Sequence, residues 1–153
     1  MRAFLRKILQ VRDTPEAQAR GLAVGFFFGL TPLFGLQVLL AVAAAHLWRG
    51  NRVLAGAMTV VSNPLTSVPL YGACWLLGKA LLGGSEAAPD LAALATVSDV
   101  LALGPGILVE LVVGTTVVGA LGGLALYLLA GRLLPLLSRH FGATRGATEA
   151  GLI

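Results

Sequence analysis

The apolar positions of this chain fall into long blocks rather than stripes, and prolines cut two of the blocks partway. The first block, residues 21–48, reads GLAVGFFFGL, then Thr31-Pro32, then LFGLQVLLAVAAAHLW. A helix over its first ten residues would be about 15 Å long, half of a hydrocarbon layer roughly 30 Å thick. Pro32 then disfavours helical geometry at Thr31 and removes a backbone donor. The second block, residues 53–82, has the same layout: VLAGAMTVVS, a break at NPLTSVP, then LYGACWLLGKALL. The third block, ILVELVVGTTVVGALGGLALYLLAG at 107–131, is uninterrupted and long enough to span a bilayer once with some tilt.

Shorter elements flank these blocks. MRAFLRKILQVR puts Met1, Phe4, Leu5, Ile8 and Leu9 on one helical face and Arg2, Arg6, Lys7 and Gln10 on the other. That is either a basic amphipathic helix suited to a lipid interface or an opening turn that frays in water. DTPEAQAR reads as a helix start, with Thr14 or Asp13 as cap, Pro15 at the first helical position and Glu16 near the positive end of the dipole. GGSEAAPD, residues 83–90, is a loop. Residues 91–103 space Leu91, Leu94, Val97 and Leu101 at helical intervals but are too few to span, which places them along the outer interface. Gly104-Pro105-Gly106 stops that element. Pro135 is expected to end the last helix. The chain thus divides into a basic cytoplasmic helix (1–20), a membrane domain (21–135) and a flexible cytoplasmic tail (136–153).

Composition changes the picture from core to lipid. Of the 153 residues 57% are hydrophobic and only 12% charged, too apolar for a water-soluble domain of this size to bury. The net charge is +4, and its placement is more telling than its sum. Arg2, Arg6, Lys7, Arg12 and Arg20 precede the first block. Arg49 and Arg52 flank the gap RGNR, and Arg132, Arg139 and Arg145 follow the third block. With both ends and RGNR in the cytoplasm, every Lys and Arg but Lys79 lies inside, while Glu86, Asp90 and Asp99 lie outside. The first block then enters and leaves on one side, the second crosses and the third crosses back. Three plain crossings are the rival, and they put RGNR or the C-terminal basic residues outside. The basic groups are scattered with no motif beside them, which argues against nucleic acid as a partner. Cys74 is the only cysteine, so there is no internal disulfide and no cysteine metal site. The first block is too long and too interrupted for a cleaved signal peptide.

Candidate chemistry gathers at the breaks. Backbone left unpaired in lipid is tolerated where it is buried in protein or lines a polar cavity. Thr31 and Gln37 flank the first break; Ser62, Asn63, Thr66, Ser67 and Tyr71 flank the second. Paired breaks of this kind point to a substrate site near the midplane, with helix N-termini aimed at an anionic or phosphate-bearing ligand. The plainer reading is that these side chains cap helix ends and hold a structural loop. Lys79 and Glu110 fall at similar depth near the outer ends of their helices and either pair or reach separately to the interface. Thr115, Gly119 and Gly123 recur every fourth residue, a face for close packing within the chain or with a second copy. His46 and His140 stand apart, so no metal is called for, and no catalytic or cofactor motif is present. An enzyme is not expected.

Gly25, Gly29, Pro32, Gly35 and Gln37, then Asn51, then Asn63-Pro64 with Pro69 and Tyr71 give this sequence a resemblance to a bacterial family catalogued as domain of unknown function 2062. The likeness covers about residues 14–135. It implies an integral protein of the inner membrane. Some relatives are similar to fusions with glycosyltransferase-type domains, which implies an envelope glycosyltransferase as partner. The paired broken segments also resemble those of DedA-type membrane transporters. The expected fold is an all-α membrane protein with two proline-broken, re-entrant or discontinuous segments, one regular transmembrane helix and short interfacial helices. The expected function is a transporter or flippase, with a non-transporting scaffold as the alternative. Three segments enclose little interior alone, so a homo-oligomer in contact with membrane lipid is expected.

Overall fold

A computed structural model describes residues 13–84 and 96–150, with backbone alone at 64, 65, 97, 100 and 137–150. The basic segment 1–12, most of the acidic loop and the start of the 91–103 segment lie outside the described residues.

Helix α1 spans Pro15–Leu30. Thr14, with extended backbone, caps it: its Oγ1 accepts a hydrogen bond from the Ala17 N–H at 3.2 Å. Pro15 occupies the first turn, where its missing donor costs nothing. The helix stops because Pro32 holds Thr31 extended, at φ −66° and ψ 135°. One helix of 16 residues therefore joins the expected start at 15 to the first half-piece. The chain turns through Gly35, whose φ of 83° suits a residue without Cβ, into α2, Leu36–Leu47.

Helix α3, Arg52–Met58, begins at Asn51, whose Oδ1 accepts from the Leu54 N–H at 2.8 Å, and tightens into a 3-10 turn at Thr59–Val61. After Ser62 and Asn63 comes α4, Pro64–Leu82. The second break is thus shorter than the sequence predicts. Pro64 opens the new helix rather than closing the old one, and Pro69 is carried inside α4. The axes of Arg52–Val61 and Thr66–Leu82 meet at 84°. Helix α5 covers Val97–Ala102, within the expected 91–103 element, of which residues 91–95 lie outside the described residues. Gly104, at φ 84°, turns the chain into α6, Pro105–Ala150.

Helix α6 corrects one expectation: it runs through Pro135 instead of ending there. The lost hydrogen bond sits among leucines at 133, 134, 136 and 137, strong helix formers on both sides. Residues 136–150 accordingly continue the helix where the sequence predicts a flexible tail.

Packing organises around α6, which lies along both α1 and α4. Gly119, Gly122 and Gly123 meet Phe27, Phe26 and Ala23, while Gly114 and Glu110 meet Cys74 and Gly78. Both partners run opposite to α6, so the end of α1 and the start of α4 converge beside one stretch of it. Helices α2 and α3 close against α1 around Val24, Ala41, Ala45 and Ala55. A second cluster, Tyr71, Trp75 and Leu111 with Phe34 and Ile107, fills the α4–α6 side. Among the described residues the architecture is all-helical. Among these residues one helical stretch, Pro105–Leu136, is long and apolar enough to cross a membrane. The bent pair of α3 and α4 passes the same test only when taken together.

Candidate functional site

The polar residues of the two breaks come together because α1 and α3 pack backbone to backbone. Gly21, Gly25 and Gly29 form a ridge on α1. A methyl group on Gly21 or Gly25 would overlap the Asn51 or Ala55 carbonyl of the neighbouring element, and one on Gly29 would press on the Thr59 Cα at 2.9 Å. Residues advance in step along the two helices, 21 beside 51, 25 beside 55 and 29 beside 59. The two helix ends therefore arrive at the same level. There the Ser62 hydroxyl donates to the Gly29 carbonyl, tying the second break to the end of α1. That carbonyl belongs to the last turn of a helix and has no partner of its own within it.

The remaining break residues divide into two kinds. Thr31 turns back, its Oγ1 donating to the Phe28 carbonyl at 2.6 Å. Asn63 and Thr66 cap each other: the Thr66 N–H donates to Asn63 Oδ1, and the Asn63 N–H to Thr66 Oγ1, both at 3.1 Å. The Thr66 hydroxyl also donates to the Val61 carbonyl at 2.7 Å. Ser67 is buried in the first turns of α4. These side chains satisfy the loose ends that a broken helix creates. Gln37 and Tyr71 differ. Gln37 Oε1 and the Tyr71 hydroxyl are buried and make no hydrogen bond of good geometry; Ser62 lies close enough to interact with Tyr71, but its own proton goes to Gly29, and Tyr71 is 0% exposed. The ring of Phe34, from the first break, stands edge-on to Tyr71 with centroids 5.7 Å apart. An orphaned hydroxyl in such a place costs about 1–3 kcal/mol, a cost a ligand or water could relieve.

The charged residues lie elsewhere. Lys79 and Glu110 reach the same place with Trp75 between them. The indole Nε1 donates to Glu110 Oε2 at 2.6 Å, and Lys79 Nζ sits 5.2 Å from the ring centroid. Glu110 is 3% exposed, and its carboxylate lies against Gly84. Sequence reasoning singled out the two charges and missed the tryptophan that connects them.

At the opposite end the basic groups collect. The Asn51 N–H donates to the Ala17 carbonyl at 2.7 Å, and Arg20 Nη1 donates to the Trp48 carbonyl at 3.2 Å. These bonds seat the RGNR gap beside the start of α1. Arg132 flanks Thr14 and Glu16 in an adjoining groove. Arg20, Arg49, Arg52 and Arg132 thus share one end of the molecule.

The small-residue face of α6 is used within the chain. Gly119 accepts Phe27 and Gly123 accepts Ala23, while Thr115 is buried and returns its hydroxyl to the Leu111 carbonyl at 2.8 Å. The closest approach of α4 and α6 is one the sequence reading passed over, at Gly78 and Gly114, where a methyl group would overlap the Glu110 and Cys74 carbonyls. Asn51 was also missed as a site residue. It is 2% exposed, and its Nδ2 is buried without a partner. The four-residue spacing of Gly21, Gly25 and Gly29 was the signal available. No curated protein and no solved structure matches this chain. A family model described as an uncharacterized protein conserved in bacteria, DUF2062, matches residues 1–141.

Proposed function

The chain belongs to this DUF2062 family of bacterial proteins, and on that premise we propose that it is a small transporter or flippase of the inner membrane, for a phosphate-bearing lipid or another anion. In this reading α1 and α2 form a re-entrant hairpin, α3 and α4 a broken crossing and α6 the regular span. The clustering of Arg20, Arg49, Arg52 and Arg132 at one end supports it, since a cytoplasmic face rich in arginine is what the positive-inside rule requires. Exposed leucines such as Leu39, Leu47 and Leu121 would face acyl chains.

The observation that carries the reading is the pair of orphaned groups at the joined breaks. Ser62, Thr31, Asn63 and Thr66 complete the scaffold; Tyr71 and Gln37 keep unspent hydrogen-bonding capacity inside it. Broken helices with free polar groups beside their ends are the usual construction of a substrate site in a membrane carrier. Tyr71→Phe removes the hydroxyl and keeps the ring. Reconstituted into proteoliposomes, this variant is expected to lose most translocation of a fluorescent phospholipid or of phosphate while keeping its melting temperature. Translocation at the parental rate would count against the site.

A scaffold that positions an envelope glycosyltransferase is the second reading. The reciprocal Asn63–Thr66 caps favour it, because they show polar break residues fully occupied by structure. A scaffold moves no substrate and is indifferent to Tyr71→Phe.

A further inference from the structure

Between α1, α2 and α6 runs a cleft of about 970 Å³, apart from the helix breaks. Phe28, Leu47 and Leu124 contribute to its walls, together with Gly123, which packs closely on the Ala23 backbone. Its polar groups sit at one end. Arg20 lies there with Trp48, whose carbonyl it binds at 3.2 Å, and with the hydroxyl of Tyr127. Glu16 pairs with Arg20 but lines the neighbouring groove, so among the described residues Arg20 is the one charged side chain lining the cleft itself. Trp48 and Tyr127 are the residue types that settle at headgroup level. The apolar part extends from there toward the middle of the molecule.

We propose that this cleft binds one anionic phospholipid, its phosphate at Arg20 and its acyl chains along the apolar walls. Charge selects the occupant. A guanidinium with donors beyond those given to Trp48 and Glu16, reinforced by Arg49 and Arg52 at the same end, favours an anionic headgroup over a zwitterionic one. Shape supplies the rest, since an apolar cleft open to a bilayer fills with acyl chain. The site shares the membrane placement proposed above but not the transport step.

The full chain is reconstituted into vesicles of phosphatidylcholine with increasing phosphatidylglycerol, and flotation first establishes insertion. Bromine on the acyl chains of either lipid then quenches Trp48, with a Trp48→Phe chain subtracting the signal of Trp75. Brominated phosphatidylglycerol is expected to compete for Trp48 about fivefold better than brominated phosphatidylcholine, the preference that one basic residue confers near a membrane surface. Arg20→Gln should bring the two lipids close to equal. Ala120→Phe, which fills the cleft and leaves Arg20 in place, should reduce quenching by both. Equal quenching in the parent chain overturns the headgroup assignment. A Trp48 shielded from both lipids overturns the site and gives the cleft to residues 1–12 or to a second copy. Chains that do not float contradict the membrane placement instead, which separates that failure from failure of the cleft.

Discussion

The two helix breaks look alike in the sequence and are wired differently. At the first, Thr31 repairs its own helix by bonding Phe28, and the turn passes through Gly35 with Gln37 left unpaired on the far side. At the second, Asn63 and Thr66 repair each other, and Ser62 reaches across to the first break. The second break therefore holds the first. A proline interruption tells where a helix stops. Which polar neighbours are consumed in stopping it, and which remain free, depends on contacts between segments more than thirty residues apart.

That contrast can be broken in order of expected effect. Ser62→Ala removes the bond between the breaks and leaves a helix-end carbonyl unpaired in the interior. It should cost about 1–3 kcal/mol, read as a lower melting temperature in detergent. Asn63→Ala removes one of two reciprocal caps and should cost about 1 kcal/mol, with Thr66 still bonded to Val61. Gln37→Met and Tyr71→Phe delete unpaired atoms, so their effect on melting should be within about 0.5 kcal/mol of zero or stabilising. Their effect on translocation should be the reverse, large where the caps' is small. A Ser62 variant that melts like the parent would mean that the two breaks are not coupled.

Local chemistry was the legible part. Thr14-Pro15-Glu16 announces the start of α1 and Thr31-Pro32 its end, because capping and proline geometry act over three or four residues; at Asn63-Pro64 the interruption was legible, but not that Pro64 opens α4 and Pro69 is carried inside it. The helical class and the one long apolar span were legible for the same reason. Partners were not. Gly21, Gly25 and Gly29 show a ridge in the sequence without showing that α3 is what lies in it. Glu110 and Lys79 show two charges without Trp75. Pro135 reads as a stop because one residue's cost is visible locally, while the support of the surrounding leucines is spread over two turns. Of the site residues, the sequence supplied names but could not separate those that bond each other from those that stay free.

The central claim is that the first apolar block turns back within the bilayer. Single cysteines at Leu33, Arg52 and Arg132, placed in a Cys74→Ala chain, test it directly with a membrane-impermeant maleimide in vesicles of both orientations. Positions 52 and 132 are expected to label from the cytoplasmic face only, and position 33 from neither face. Labelling of position 33 from the outer face would mean a plain crossing and would contradict the account.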